Sequence, residues 1–272
     1  MDAKTVFDRI DTAYEQLRGE ELEREIRAVA ADCAAENGEQ SPLYASVCSE
    51  LGGYYRGQAR YEESEREFLR AVEILRVNPG EDSPDYTTAL NNLAGTCRVM
   101  KKYAEAEALF QQCLESYART LGKNHILYAS GLNNYALLCL DQGDLSHAAA
   151  LLGESAEVLR ALPECRDEYA AALCNRSALL LRLGRAAETE PLLTEAITMF
   201  ETELGTVTPH YHAALNSLGL AKMAQERYAE AADYFAAAAH AAEELYGEDH
   251  PETENILRSF GEARRRMREA QA

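Results

Sequence analysis

Apolar residues recur along this chain at intervals of three and four, and nowhere alternate strictly with polar ones. That spacing predicts helices and no strands. In one segment Leu90, Leu93, Ala94 and Cys97 share a face, and after a short polar gap Ala106, Leu109, Phe110, Cys113 and Leu114 share another. The pattern then repeats. Tyr44, Tyr86, Tyr128, Tyr169 and Tyr211 are separated by 42, 42, 41 and 42 residues. Four positions beyond each tyrosine stand Cys48, Leu90, Leu132, Leu173 and Leu215, and eight beyond stand the small residues Gly52, Ala94, Ala136, Ser177 and Gly219. A second small column holds Ser64, Ala106, Ala148, Thr189 and Ala231. It is followed by the large Phe68, Phe110, Leu152, Leu193 and Phe235, and then by Ala71, Cys113, Ser155, Ala196 and Ala238. Small columns let two helices, A and B, approach closely, and the large column fills the gap to their neighbours.

The junctions fit helical hairpins. Ser41-Pro42, Ser83-Pro84 and Thr208-Pro209 precede their tyrosines by the same distance and read as an N-cap followed by a proline in the first turn. Leu121-Gly122, Leu204-Gly205 and Tyr246-Gly247 close B helices, with glycine expected in the left-handed conformation. An all-α chain follows, with five hairpins at about 43–84, 85–126, 127–167, 168–209 and 210–249. Residues 1–42 read as a degenerate hairpin capping the N-terminal end, and 250–272 as a capping helix and tail whose arginines suit a solvated end. No linker or low-complexity tract divides the chain, so one continuous domain is expected.

Leu90-Asn91-Asn92-Leu93-Ala94, Tyr103-Ala104-Glu105-Ala106-Glu107 and Tyr246-Gly247-Glu248-Asp249-His250-Pro251 resemble the tetratricopeptide repeat, and the spacing resembles its kinesin-light-chain type. The resemblance implies a right-handed α-solenoid, a superhelix of antiparallel helical hairpins, whose A helices line a concave groove for peptides or partner proteins. Two departures stand out. Arg176 occupies a column held elsewhere by Leu51, Leu93, Tyr135 and Leu218, and turn glycines survive only as Gly143 and Gly184. No heptad segment precedes the repeats, so a kinesin role is not expected.

Charge narrows the partners. With 27 Lys+Arg against 46 Asp+Glu, the net charge of −19 argues against nucleic acid and against an anionic membrane surface. No secretion signal or membrane span is read, and the seven cysteines include no CxxC pair, so neither a disulfide framework nor a zinc knuckle is expected and the cytoplasm is the default compartment. Cys97 and Cys139 share one phase, as small core residues would. His210 and His212, two apart on a helix, diverge too far for a metal, and no nucleophile elbow, phosphate loop or dinucleotide fingerprint occurs. No catalytic residue, metal or cofactor is therefore expected.

The candidates for binding lie on the inner face of the A helices. Asn92, Asn134 and Asn175 share one phase, and Asn91, Asn133 and Asn216 share the adjacent one. A side-chain amide can clasp a peptide main chain whatever its sequence, and the resemblance implies that role for Asn92, Asn134 and Asn175. The alternative is that these amides bridge neighbouring A helices. Arg56 and Arg98 share a further phase, with Arg182 one position on, and could meet a carboxylate of a ligand. Arg176 joins them unless a shifted register lets its stem pack and its head reach water. The phase tyrosines read as helix-start packing. The function expected is a non-catalytic scaffold or adaptor holding a protein or peptide. A peptide-responsive signalling regulator is the alternative, and an enzyme with an unrecognised site a third reading.

Overall fold

A computed structural model describes residues 1–247 and 249–271; Glu248, within one of the repeat motifs, and Ala272, at the end of the tail, lie outside the described residues. Thirteen helices and no strand occur among the described residues. The chain divides into two compact units, Met1–Lys123 and Asn124–Ala272, the division falling between the second and third predicted hairpins. In the first unit α1 (Ala3–Gln16) pairs with α2 (Gly19–Asn37), α3 (Pro42–Gly57) with α4 (Tyr61–Leu75), and α5 (Pro84–Val99) with α6 (Tyr103–Thr120). In the second, α7 (Ile126–Gln142) pairs with α8 (Leu145–Arg160), α9 (Arg166–Arg182) with α10 (Ala186–Met199), and α11 (Pro209–Ala224) with α12 (Tyr228–Tyr246). The last helix, α13 (Pro251–Gln271), packs on α12. Within each unit the hairpins stack so that each B helix also touches the next A helix, the solenoid arrangement expected from the repeat.

The starts of the A helices follow their sequence signals. The side chains of Ser41, Ser83 and Thr208 accept the backbone N–H groups of Tyr44, Tyr86 and Tyr211, each with proline in the first turn. His125 does the same work for α7, its Nδ1 accepting from the Leu127 N–H. Two of the three B-helix ends differ from expectation. Gly205 (φ +93, ψ 154) and Gly247 (φ +94, ψ 165) have positive φ with extended ψ, a region essentially closed to other residues. They turn the chain out of the helix rather than winding it left-handed, as Gly143 does (φ +83, ψ 5).

The small and large columns make the core. A Cβ at Gly52 would lie 2.9 Å from the Phe68 ring, and one at Gly219 would lie 2.7 Å from the Phe235 ring, so glycine is what lets helix A receive the aromatic of helix B. The phase tyrosines are structural. Tyr44, Tyr86, Tyr128 and Tyr169 are buried, the Tyr128 and Tyr169 hydroxyls donate to Glu154 and Glu195, and Arg70 stacks on the Tyr44 ring. No helix among the described residues is long and apolar enough to cross a membrane.

Candidate functional site

In the second unit a cleft of about 360 Å³ opens between α7 and α9, with Ser155 and Leu159 of α8 behind it. Ala129, Ala171 and Ala172 keep its walls low, so no large side chain fills the space between the two A helices. Into this space the sequence places Asn133, Asn134 and Asn175 together, with Ser130 beside them and Glu168 as the one acidic group of the lining. Asn133 and Asn134 are half-buried and Asn175 is exposed. Among the described residues none of the three amides makes a side-chain hydrogen bond with the protein. They therefore do not bridge α7 to α9, and their donors and acceptors face the cleft. Sequence reasoning missed Ser130 and Glu168; both are set by the same helical faces, Ser130 one turn before Asn133 and Asn134 and Glu168 two turns before Asn175.

The other candidates are placed differently. In the first unit Asn92 is half-buried, and Asn91 is buried with its Oδ1 lacking a partner; Asn216 of the second unit likewise holds a buried, unpartnered Oδ1. Arg56 lies across the α3–α5 junction. Its Nη1 donates to the Asn92 carbonyl at 3.1 Å, and its guanidinium covers both the Phe68 ring and Gly95, where a Cβ would come within 2.9 Å. Burial, and then the nearby charge of Arg98, hold its pKa below the ordinary arginine value. Part of Arg56 is thus committed to packing α3 on α5. Arg98 is half-buried, and Arg182 lies in the last turn of α9. Arg176 keeps the helix register, since Ser177 still fills the small column, and its guanidinium lies against Gly153 of α8 with Nε buried and unpartnered. A missing side chain on the facing helix makes room for its guanidinium.

A charged ladder at the A–B turns also escaped the sequence reading. Arg60 bonds Glu23 and Glu63, Lys102 bonds Glu65, and Arg227 bonds Glu190 and Glu230. In each case a turn cation holds the B helix of the preceding hairpin, 37 residues back, and that fixed separation was the available signal. The deepest cation is Lys222, 1% exposed, with its ammonium between Glu190 at 2.5 Å and Glu230 at 3.2 Å. The hydrogen bond from Lys222 holds the Glu190 carboxyl below the usual carboxylate range. Near Lys102, the ligand-type atoms of Glu65, Cys97 and Glu105 lie within 4.8 Å of one another. Burial raises the Cys97 pKa to about 11, and Lys102 supplies positive charge to Glu65.

The remaining cysteines and histidines have structural surroundings. All seven cysteines are free and buried, and burial raises the pKa values of Cys48, Cys113 and Cys174 to about 12. Such thiols are protonated and unreactive near neutrality. His212 is buried against the Tyr246 ring, and burial lowers its pKa from the ordinary histidine value. His210 is exposed on α11, so the pair does not converge.

Comparison with known proteins agrees with this architecture. A family model described as tetratricopeptide repeat matches residues 85–161 and 210–272, and a second model of the same description matches 45–85. No curated protein matches the sequence significantly. Among solved structures, a Podosopora anserina protein assigned as a kinesin light chain, with nearly identical TPR-like repeats, is 18% identical over 76% of this chain and 98% of its own, with a TM-score of 0.65. Yeast Tom70 is 18% identical, and the match covers 98% of this chain and 47% of Tom70 with a TM-score of 0.67. The apo form of RapI, 12% identical, is covered completely by 99% of this chain with a TM-score of 0.62. At these identities the likeness concerns the fold.

Proposed function

The chain belongs to the tetratricopeptide repeat family, and from that premise we propose that it is a protein-binding scaffold or adaptor whose ligand is a peptide segment seated between α7 and α9. One observation carries this reading. Asn133, Asn134 and Asn175 bring three amides into one cleft, and none is spent on the protein itself. Polar groups beside apolar walls normally find partners, so unspent amides on a small-residue floor suit the main chain of an incoming segment. Such contacts read backbone and not sequence. Specificity then falls to Glu168 at one end, which favours a lysine or arginine of the ligand, and to the apolar Ile126 and Leu159. By phase, Asn92 takes the same role in the first unit, where its carbonyl is anchored by Arg56. Arg98 and Arg182 are assigned to ligand carboxylates outside the cleft.

Selection from a random peptide library on the full chain, followed by titration of the recovered peptides, tests the reading. Asn134→Ala/Asn175→Ala is expected to weaken those peptides at least tenfold with an unchanged melting temperature, because neither amide bonds the protein. Equal affinity for both proteins would remove the cleft from the account.

A further inference from the structure

In four of the five hairpins the phase tyrosine is met by one fixed position of its own B helix. The residue 26 places beyond Tyr44, Tyr86, Tyr128 and Tyr169 is Arg70, Gln112, Glu154 and Glu195 in turn. Arg70 stacks on the Tyr44 ring, Gln112 lies at the Tyr86 hydroxyl, and Glu154 and Glu195 accept from the hydroxyls of Tyr128 and Tyr169. All four tyrosines are buried. In the fifth hairpin the same position is Ala237, which carries no polar group and ends at Cβ. Tyr211 is only half-buried, and its hydroxyl donates instead to Glu201, just beyond the end of α10, at 3.1 Å.

Ala237 and Tyr211 line a cavity of about 520 Å³ between α10 and α12. Its floor is apolar, made by the buried Ile197, Leu215 and Leu218. The half-buried rings of Tyr211 and Tyr234 stand beside it, and Phe200 meets the Tyr211 ring edge-on at 6.1 Å. The charged part of the lining is exposed and wholly acidic: Glu201, Glu230 and Asp233, with no basic residue among the described lining. Glu230 is compensated by Lys222 and Arg227. The other two are not. Glu201 accepts only the Tyr211 hydroxyl, and Asp233 makes no hydrogen bond or ion pair among the described residues. Burial raises the Tyr211 pKa, and the hydrogen bond to Glu201 with the charges of Glu201 and Glu244 raises it further, so the charges this ring feels are negative.

We infer that this cavity is a second binding site, which takes an arginine side chain of a partner protein. Two uncompensated carboxylates call for a cation. Two tyrosine rings suit a flat one, since a guanidinium stacks on an aromatic face more readily than an ammonium does. The free oxygen of Glu201 and both oxygens of Asp233 offer acceptors to its fork of N–H donors. Ile197, Leu215 and Leu218 cover the methylene stem. The rim residues Thr194, Thr198, Asp233 and Ala237 are exposed, so the cavity is entered from outside and the partner's main chain stays on the surface. The site lies on the B-helix side of the fifth hairpin and does not depend on the α7–α9 cleft.

The probe is Nα-acetyl-arginine amide, titrated into the full chain labelled at its isoleucine methyl groups and followed by NMR. Ile197 reports on this cavity and Ile126 on the α7–α9 cleft. A saturable shift at Ile197 is expected, with Ile126 unmoved, and added salt should weaken it. The citrulline counterpart, equal in shape but uncharged, should not bind, and the lysine counterpart should bind about fivefold more weakly. Ala237→Gln puts back the side chain that the second hairpin has at Gln112. It should fill the cavity without adding charge and weaken the probe at least tenfold, while circular dichroism and melting temperature are kept. Asp233→Asn should weaken it about threefold to fivefold. Asn134→Ala/Asn175→Ala should leave it unaltered, which separates this site from the cleft. The proposal is overturned if Ile197 shows no saturable shift, if binding survives Ala237→Gln, or if lysine or citrulline serves as well as arginine. Methylguanidine binding as tightly as the arginine probe would also overturn it, because the cavity would then fit a small guanidine and gain nothing from a side chain.

Discussion

In α11, Leu215, Gly219 and Lys222 lie beneath α12 and are all but inaccessible; in α13, Leu257, Gly261 and Arg264 hold the same columns and stand in solvent. The residue types hardly differ between the two helices, so it is the presence of a covering helix that turns a column into core. The charged member shows the consequence. Lys222, once covered, requires two carboxylates, whereas Arg264 needs only water and the Phe260 ring. Burying a cation is tolerable only when it is paired.

The contrast is broken or sharpened most strongly at the two glycines. Gly219→Leu drives a side chain into the Phe235 ring, already 2.7 Å from a bare Cβ, and is expected to cost about 3 kcal/mol by overpacking. Gly261→Leu meets open space and is expected to leave stability unchanged or slightly raised, through better helix propensity. Urea unfolding of both variants measures the difference. Equal losses would mean that α13 is covered in solution by something the chain itself supplies.

The hairpin lengths, N-caps, small columns and asparagine phases were legible because each follows from a local rule repeated along the chain, and repetition separates signal from accident. The turn ladder left a signal in its fixed 37-residue separation, but the Lys222 pairing did not. Glu190 and Lys222 lie 32 residues apart on different hairpins, and in a chain with 46 acids any such pairing is hidden among many. The surroundings of Arg176 were not legible for a related reason. Its accommodation depends on Gly153, a residue outside every repeated column, so no periodic argument could reach it. The cleft was half legible: phase put the asparagines on one face, but only the packing of α7 and α9 on α8 shows that Asn133, Asn134 and Asn175 share one space with Ser130 and Glu168.

Lys222 gives the second test of the covered-against-bare contrast. Glu190→Gln leaves a buried ammonium with Glu230 alone and is expected to cost about 2 kcal/mol, less than a fully buried pair because Glu190 is 35% open to solvent. Lys222→Met/Glu190→Gln should recover most of that loss, and Arg264→Met should cost nothing measurable. Acid supplies the sign. The Lys222 hydrogen bond to Glu190, and the Arg227 hydrogen bond to Glu230, hold both carboxyls below their ordinary pKa, so their stabilisation is complete above the ordinary carboxylate range and is lost as pH falls through the depressed values. The stability gap between wild type and Glu190→Gln should therefore close as the solution is acidified from neutrality. A gap that persists in acid would mean that Glu190 acts by shape and not by charge.

The smallest effect tests another way of accommodating a cation that is half-buried, by removing a facing side chain. At Gly153 a Cβ would lie 3.2 Å from Cζ of Arg176, so Gly153→Ala gains helix propensity but pushes against the guanidinium. A net loss of about 0.5 kcal/mol is expected in wild type. In an Arg176→Leu background the obstruction is gone, and the same Gly153→Ala should gain about 0.5–1 kcal/mol. The reversal of sign is the decisive reading, because helix propensity alone would give a gain in both backgrounds. If Gly153→Ala stabilises the wild type as much as it stabilises the Arg176→Leu variant, the guanidinium does not rest on Gly153, and some other group must account for the buried Nε of Arg176.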